Sequence, residues 1–163
     1  MSKCIIIVGA TGSGKTTLTR KMLKDVNPKL IHVFDINSEE IWSDCVTYRN
    51  MLPEEYKEML MEKKPGYYLI EDASSIFQPR GTDTDLKRLL VQKRHNNQFY
   101  ILLFHSLRQI PNWILDFSDT LILGHTRDNK ASAQKLSYDE ITDAWEDLRE
   151  NRHVDFKFHK IDL

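Results

Sequence analysis

Short apolar segments alternate with longer amphipathic segments along the chain. Residues 4–8 read CIIIV, without a polar position, which is typical of a strand that is buried on both faces of a sheet. Similar short segments predict strands at residues 31–36, 67–70, 99–104 and 120–123. Strands that alternate with helices predict an α/β fold, with a mostly parallel sheet flanked by helices.

The amphipathic segments between these strands are predicted to be helices. The clearest covers residues 53–64, where Pro53 takes the first helical position, two glutamates follow, and a Pro-Gly pair comes after the end. Residues 15–24 and 83–95 show the same apolar spacing of three and four positions. We therefore expect helices to cover both faces of the sheet.

The last part of the chain contains one more helix signal and one more strand signal. The sequence SYDE at 137–140 fits a capping box, which predicts that a helix begins there. After it, Val154, Phe156 and Phe158 alternate with polar residues. This alternation predicts a half-buried strand at the edge of the sheet, over residues 153–161.

The size and charge of the chain limit what it can be. Its 163 residues suit one domain over 1–163 and are too few for two ordinary domains. Lys and Arg number 23 against 24 Asp and Glu, which argues against a strongly basic nucleic-acid coat but allows a local basic patch. The apolar runs are too short for a membrane span, and Cys4 and Cys45 form no metal spacing. We expect a cytoplasmic protein without a membrane span.

The strongest chemical signal is a glycine-rich loop directly after the first predicted strand. Residues 9–16 read GATGSGKT and fit the pattern G-x-x-x-x-G-K-[ST] in full, with a strand before them and a helix after them. Glycines allow the backbone N–H groups to turn inward around phosphates, and the helix N-terminus adds positive charge. Lys15 is expected to reach the β- and γ-phosphates of a nucleotide, and the Thr16 hydroxyl to bind Mg²⁺. The predicted nucleotide-binding residues are Gly9, Ala10, Thr11, Gly12, Ser13, Gly14, Lys15, Thr16 and Thr17.

A pair of acidic residues follows the third predicted strand. Residues 67–72 read YYLIED, so that Glu71 and Asp72 come at the carboxyl end of an apolar segment. A P-loop site needs an acid near the metal and a base that polarises the attacking water. From their positions, Glu71 is predicted to bind the metal, and Asp72 is predicted to polarise the attacking water. The assignment can also be reversed, because Asp72 has the shorter reach.

The fourth predicted strand ends in a histidine. His105 and Ser106 follow the apolar residues 99–104, at the end of the sheet where ligands of such folds bind. Both side chains are able to donate a hydrogen bond. We predict that His105 senses the γ-phosphate.

Several segments resemble the FtsK–HerA-type ATPases, a group that includes filamentous-phage assembly ATPases and viral genome-packaging ATPases. The sequence EDASSIFQPR at 71–80 is similar to their acid-acid-Ala-x-x-x-Phe-x-x-Arg stretch, and KRHNN at 93–97 to their Arg-His element. The sequence HSLRQIP at 105–111 is similar to their Gln-x-x-x-x-Ile-Pro, with His105 where Gln is common. Asp35 resembles the acid that ends their second strand.

This resemblance spans residues 4–128 and implies a RecA-like P-loop NTPase domain. It implies that ATP is hydrolysed with Mg²⁺ by a homo-oligomeric ring, a pentamer or hexamer, that moves double-stranded DNA. Packaging of a viral genome into a procapsid is the favoured task, with a capsid portal or vertex as docking partner and the host cytoplasm as location. Such rings complete each site with an arginine from the neighbouring subunit. Arg94 is the first candidate for that residue, and Arg80 and Arg108 are the second.

Three other classes of P-loop protein are weighed against this interpretation. A GTPase needs Asn-Lys-x-Asp, whereas residues 129–132 read NKAS and lack the acid. A small nucleotide or nucleoside kinase needs an arginine-rich lid, and residues 77–93 hold only Arg80 and Arg88. A non-translocating P-loop ATPase, or a scaffold without turnover, also stays open. Turnover with duplex DNA or with a small acceptor distinguishes these classes.

Overall fold

A computed structural model of the chain describes residues 2–36, 40–62, 64–78 and 83–163. The strands are β1 (Cys4–Val8), β2 (Ile31–Phe34), β3 (Val46–Tyr48), β4 (Gly66–Ile70), β5 (Gln98–Phe104), β6 (Thr120–Gly124) and β7 (Phe158–Asp162). The helices are α1 (Lys15–Met22), α2 (Pro53–Met61), α3 (Thr84–Gln92), α4 (Asn112–Leu115), α5 (Lys130–Gln134) and α6 (Asp139–Glu150). Within these ranges, none of the helices has the length and apolar composition that crossing a membrane requires.

The strands form one sheet in the order β3-β2-β4-β5-β1-β6-β7. All neighbouring pairs are parallel except β6 and β7, so the predicted α/β fold with a mostly parallel sheet and flanking helices is confirmed. Strand β1 lies inside the sheet between β5 and β6, as its uninterrupted apolar sequence predicts. Strand β5 separates β1 from β4, and this order brings the loops after the three strands side by side.

The two faces of the sheet are covered unequally. On one face, alternate residues such as Ile6, Val8 and Leu102 pack against the apolar sides of α2 to α6. On the other face, Ile5 and Ile7 pack with the residues around α1 and with Trp42. The alternation follows from the two-residue period of a strand, which points neighbouring side chains to opposite faces.

Several elements differ from the sequence-based expectation. The helices are shorter than predicted, and the short elements β3, α4 and α5 were not expected. Helix α6 has Tyr138 as its N-cap, without a capping bond from its side chain, so the capping box at 137–140 was wrong. Ser137 instead has a backbone φ of 59° and closes the turn after α5, where its N–H donates to Gln134 O at 3.1 Å.

The C-terminal strand begins later than the alternation of apolar residues indicated. It covers Phe158–Asp162 at the edge of the sheet instead of 153–161. Val154 and Phe156 lie in the turns before it, where Phe156 has a φ of 57° that an extended strand does not allow. The three residues therefore do not share one face of a strand.

Candidate active site

The loops after β1, β4 and β5 meet at the carboxyl ends of the parallel strands and enclose an open cavity of about 480 Å³. Parallel strands place such loops at one edge of the sheet, which is where ligands of open α/β sheets bind. The cavity is lined by Thr11, Gly12, Gly14, Lys15, Thr16, Thr17, Glu71, Asp72, Leu103, His105 and Phe156.

The loop after β1 has the backbone of a phosphate-binding turn. Gly12 and Gly14 have φ angles of 80° and 88°, a region in which side chains are strained. Gly14 is also the N-cap of α1, so the N-terminus of this helix borders the cavity. The combination of inward-turning backbone and helix N-terminus favours an anion at this position.

The Lys15 ammonium is held at the floor of this loop. Its Nζ donates to Gly9 O at 2.6 Å and to Ala10 O at 3.2 Å, and it lies 3.4 Å from His105 Nδ1. Only 8 % of the residue is exposed. A positive charge is therefore fixed between the P-loop and the end of β5, where it can oppose the charge of a phosphate.

Six of the nine predicted nucleotide-binding residues line the cavity, namely Thr11, Gly12, Gly14, Lys15, Thr16 and Thr17. The other three build the turn beneath it. The Ala10 carbonyl accepts from Ser13 N at 3.0 Å, and Gly9 N donates to Phe104 O at 3.1 Å, which extends the pairing of β1 with β5.

Glu71 is buried at the end of β4, on the wall of the cavity. It is 2 % exposed, and its Oε1 accepts a hydrogen bond from Trp42 Nε1 at 2.7 Å. Trp42 itself is fully buried. The indole thus holds the carboxylate in one orientation, as a metal ligand requires.

Asp72 follows with a left-handed backbone, φ 48° and ψ 60°. Its Oδ1 accepts a hydrogen bond from Ser74 Oγ at 2.6 Å, and the residue lines the cavity. The two neighbouring carboxylates therefore have different partners, Trp42 for Glu71 and Ser74 for Asp72. This difference fits two separate roles for the pair.

His105 lies beside Lys15 and lines the same cavity as the acidic pair. Because a lysine can only donate, His105 Nδ1 is the acceptor, and the neutral ring carries its proton on Nε2. Burial lowers the pKa of His105, and the charge of Lys15 lowers it further. Gln109 Oε1 fixes this loop by accepting from His105 N and Ser106 N, each at 3.1 Å.

The arrangement fits Mg²⁺ as far as its protein ligands are concerned. Thr16 and Glu71, the two predicted ligands, both line the cavity. Among the described residues no group of three or more His, Cys, Asp or Glu forms a metal site. Mg²⁺ usually takes one or two protein oxygens together with phosphate oxygens and water, and Thr16 and Glu71 offer two such oxygens.

The predicted arginines lie at different ends of the sheet. Arg94 is exposed and precedes β5, so it lies at the amino ends of the parallel strands. Strand β5 spans about 20 Å at roughly 3.3 Å per residue, which keeps Arg94 away from the site of its own chain. Arg108 is exposed in the turn after β5, and Arg80 lies outside the described residues.

Asp35, the acid after β2, has a different environment. It is fully buried, and its Oδ2 accepts a hydrogen bond from Arg49 Nε at 2.7 Å. Its N–H donates to Tyr48 O at 3.0 Å. Asp35 therefore ties the end of β2 to the end of β3, and it is not among the residues lining the cavity.

Sequence reasoning missed Trp42 and Phe156, which both belong to this site. Trp42 contacts an acid 29 positions away along the chain, and no local pattern indicates that contact. Phe156 was expected to be a strand residue but reaches the cavity from the turn before β7.

A family model matches most of the chain. The model described as "ATPase family associated with various cellular activities (AAA)" matches residues 5–127, three quarters of the chain. These residues include the P-loop, the acidic pair and His105. Among curated proteins, no sequence matches the chain.

Solved structures with the same fold include viral and bacterial proteins. The genome packaging NTPase B204 from Sulfolobus turreted icosahedral virus 2, in complex with AMPPCP, has a TM-score of 0.82 at 16 % identity, covering 99 % of this chain and 92 % of that chain. The N-terminal domain of zonular occludens toxin from Neisseria meningitidis has a TM-score of 0.60 at 15 % identity, covering 76 % of each chain. EssC (ATPases 2 and 3) from Geobacillus thermodenitrificans has a TM-score of 0.62 at 13 % identity, covering 83 % of this chain and 34 % of that chain. The predicted resemblance is thus confirmed at the level of the fold and of the P-loop ATPase.

Proposed function

The chain belongs to the AAA family of ATPases, and on this premise we propose that it is an Mg²⁺-dependent motor that hydrolyses ATP to move double-stranded DNA. The task we propose is packaging of a viral genome into a procapsid. The observation that carries the proposal is the cavity in which the P-loop, the acidic pair and His105 lie together. The similarity to a packaging NTPase over 99 % of this chain supports the task.

The P-loop, the acidic pair and His105 each have a role in this mechanism. The P-loop backbone and Lys15 bind the β- and γ-phosphates, and Thr16 with Glu71 would hold Mg²⁺. When bound, Mg²⁺ supplies positive charge against the phosphate oxygens. Asp72 accepts the proton of the attacking water, and His105 donates from Nε2 towards the γ-phosphate. Trp42 keeps Glu71 in place through its indole N–H.

The proposal includes the assembly in which this site works. A single domain over 1–163 forms a ring of five or six copies, located in the cytoplasm, or in the host cytoplasm if the chain is viral. The ring docks on a capsid portal or vertex. Arg94 of one subunit completes the site of the next, which its place at the amino ends of the strands allows only between subunits.

The test compares ATP turnover with and without duplex DNA. We expect duplex to raise turnover several-fold, with a stimulation that falls as salt rises because the contacts are made to phosphates. A triplex-displacement assay then measures movement, with AMPPCP in place of ATP as the control without hydrolysis. Equal turnover with and without duplex contradicts the DNA motor, and transfer of phosphate to a nucleoside monophosphate identifies a kinase instead.

The role of Arg94 has its own test. Arg94→Ala should leave ATP affinity within about twofold and lower multiple-turnover hydrolysis about a hundredfold or more, because an arginine supplied in trans acts on the transition state. Arg88→Ala, an exposed arginine of α3, is the matched control. Mixing the Arg94→Ala and Lys15→Ala chains should restore part of the activity, because some interfaces then pair an intact Arg94 with an intact P-loop. If Arg94→Ala loses hydrolysis and the mixture does not restore it, Arg94 has no role in trans. Arg108 is then the next candidate.

A further inference from the structure

A large aromatic side chain lies exposed at the mouth of the nucleotide cavity. Phe156 is 67 % exposed, although aromatic side chains of this size are usually buried. It lines the same cavity as the P-loop residues Gly14 and Thr17. Among the described residues that line the cavity, Leu103 is the other large apolar side chain, and it is only 3 % exposed. Phe156 therefore supplies the apolar surface that a ligand in the cavity can contact.

The ring lies directly against the P-loop. A Cβ added to Gly14 would be 2.5 Å from Phe156 Cδ1, which shows that the ring covers the Cα of this glycine. Phe156 also has a φ of 57°, a backbone conformation that is unfavourable for a bulky residue. Because Phe156 is mostly exposed, burial offsets little of this strain, and such strain is frequent at ligand-binding positions.

The turn that carries Phe156 is fixed on both sides. Before it, Val154 O accepts from His125 Nε2 at 2.9 Å, and the His125 carbonyl accepts from Ala10 N of the P-loop at 2.7 Å. After it, Lys157 Nζ and His159 Nε2 both contact Asp147 Oδ2 of α6, at 2.5 and 2.6 Å. The position of the ring relative to the P-loop is therefore set by side-chain contacts and not by the turn alone.

We propose that Phe156 stacks on the base of the nucleoside triphosphate whose phosphates the P-loop holds. This inference rests on the proposed function and adds a base-binding surface to it. The base is joined through the ribose to the α-phosphate, so it lies outside the loop that binds the phosphates. We expect it at the mouth of the cavity. A phenyl ring stacks on any base, because every base has a π-face, and it favours purines through their larger area.

The test separates the base from the phosphates. Phe156→Asn removes the ring and keeps a residue that tolerates the left-handed backbone, so the turn is preserved. We expect its Kd for Mg-ATP to rise about tenfold, or about 1.4 kcal/mol, while the Kd for inorganic tripolyphosphate stays within twofold. Phe156→Trp should bind ATP at least as tightly as the parent, because it keeps an aromatic face. Isothermal titration calorimetry measures all of these constants.

Leu52→Ala is the matched control, because Leu52 is equally exposed at 66 % but lies outside the cavity. If Phe156→Asn binds ATP like the parent, the stacking role is wrong. If it weakens ATP and tripolyphosphate equally, the ring supports the P-loop and does not bind the base. If the parent chain binds neither ligand, the proposed function fails first, and this result differs from both others.

Discussion

Replacing Lys15 with alanine is expected to abolish ATP turnover, by about a thousandfold or more, and to weaken Mg-ATP binding by at least about a hundredfold. The Lys15 Nζ lies within 2.6 Å of Gly9 O and 3.4 Å of His105 Nδ1, so its charge is already placed inside the phosphate loop. Alanine keeps the helix but leaves the loop without a cation to oppose the γ-phosphate. Calorimetry with Mg-ATP and a phosphate-release assay measure the two effects.

Lys21→Ala is the control for this substitution. Lys21 is exposed on the same helix α1 and is not among the residues that line the cavity. It should bind and hydrolyse ATP like the parent chain. If Lys15→Ala retains affinity within threefold, the loop is not the phosphate site, and every role assigned to the cavity is lost with it.

The second large effect is expected from Asp72→Asn. Turnover should fall about a hundredfold to a thousandfold while ATP affinity stays within about threefold, because the amide cannot take the proton of the attacking water. Asparagine is the natural choice, since it tolerates the left-handed backbone at φ 48° and still accepts from Ser74 Oγ. Single-turnover hydrolysis and calorimetry separate chemistry from binding. Asp116→Asn, an exposed acid after α4, serves as the control.

Substitution of the neighbouring acid, Glu71, should change the magnesium requirement of turnover. Glu71→Gln is expected to raise the Mg²⁺ concentration that half-maximal turnover requires, whereas Asp72→Asn leaves that concentration unchanged. The burial of Glu71 and its bond from Trp42 support this division of roles. The reverse pattern, with the magnesium requirement shifted by Asp72→Asn, would exchange the two assignments.

The parts of the site that the sequence predicts are those encoded by contiguous residues. A P-loop is built from eight neighbours whose glycines and helix start determine the geometry, so Gly14 and Lys15 could be placed by pattern alone. Glu71, Asp72 and His105 could be placed because they come at the ends of apolar strands, and parallel strands end at one edge. The central strands were predictable because their residues are apolar on both faces.

The parts that were missed depend on contacts between distant residues. Strand β3 has only three residues and pairs along one side with β2, so its stability comes from its partner and not from its own pattern. The role of Trp42 becomes visible only from its hydrogen bond to Glu71, which is distant in sequence. At the C terminus, alternation of apolar residues predicted a strand, but His125 and the left-handed Phe156 hold the segment in a turn. Alternation alone cannot distinguish these two outcomes.

The position of β1 in the sheet also determines when the protein can become functional during its synthesis. Cys4 pairs with Tyr100, and Ile5 pairs with Thr120, so β1 is synthesised more than ninety residues before these partners. Such long-range pairing slows folding, because the closing of long loops precedes the gain in contacts. A nascent chain that ends before β5 leaves both hydrogen-bonding edges of β1 without their native neighbours. The apolar segment that supports the nucleotide site therefore has unpaired edges while the chain is being made, and such edges favour aggregation.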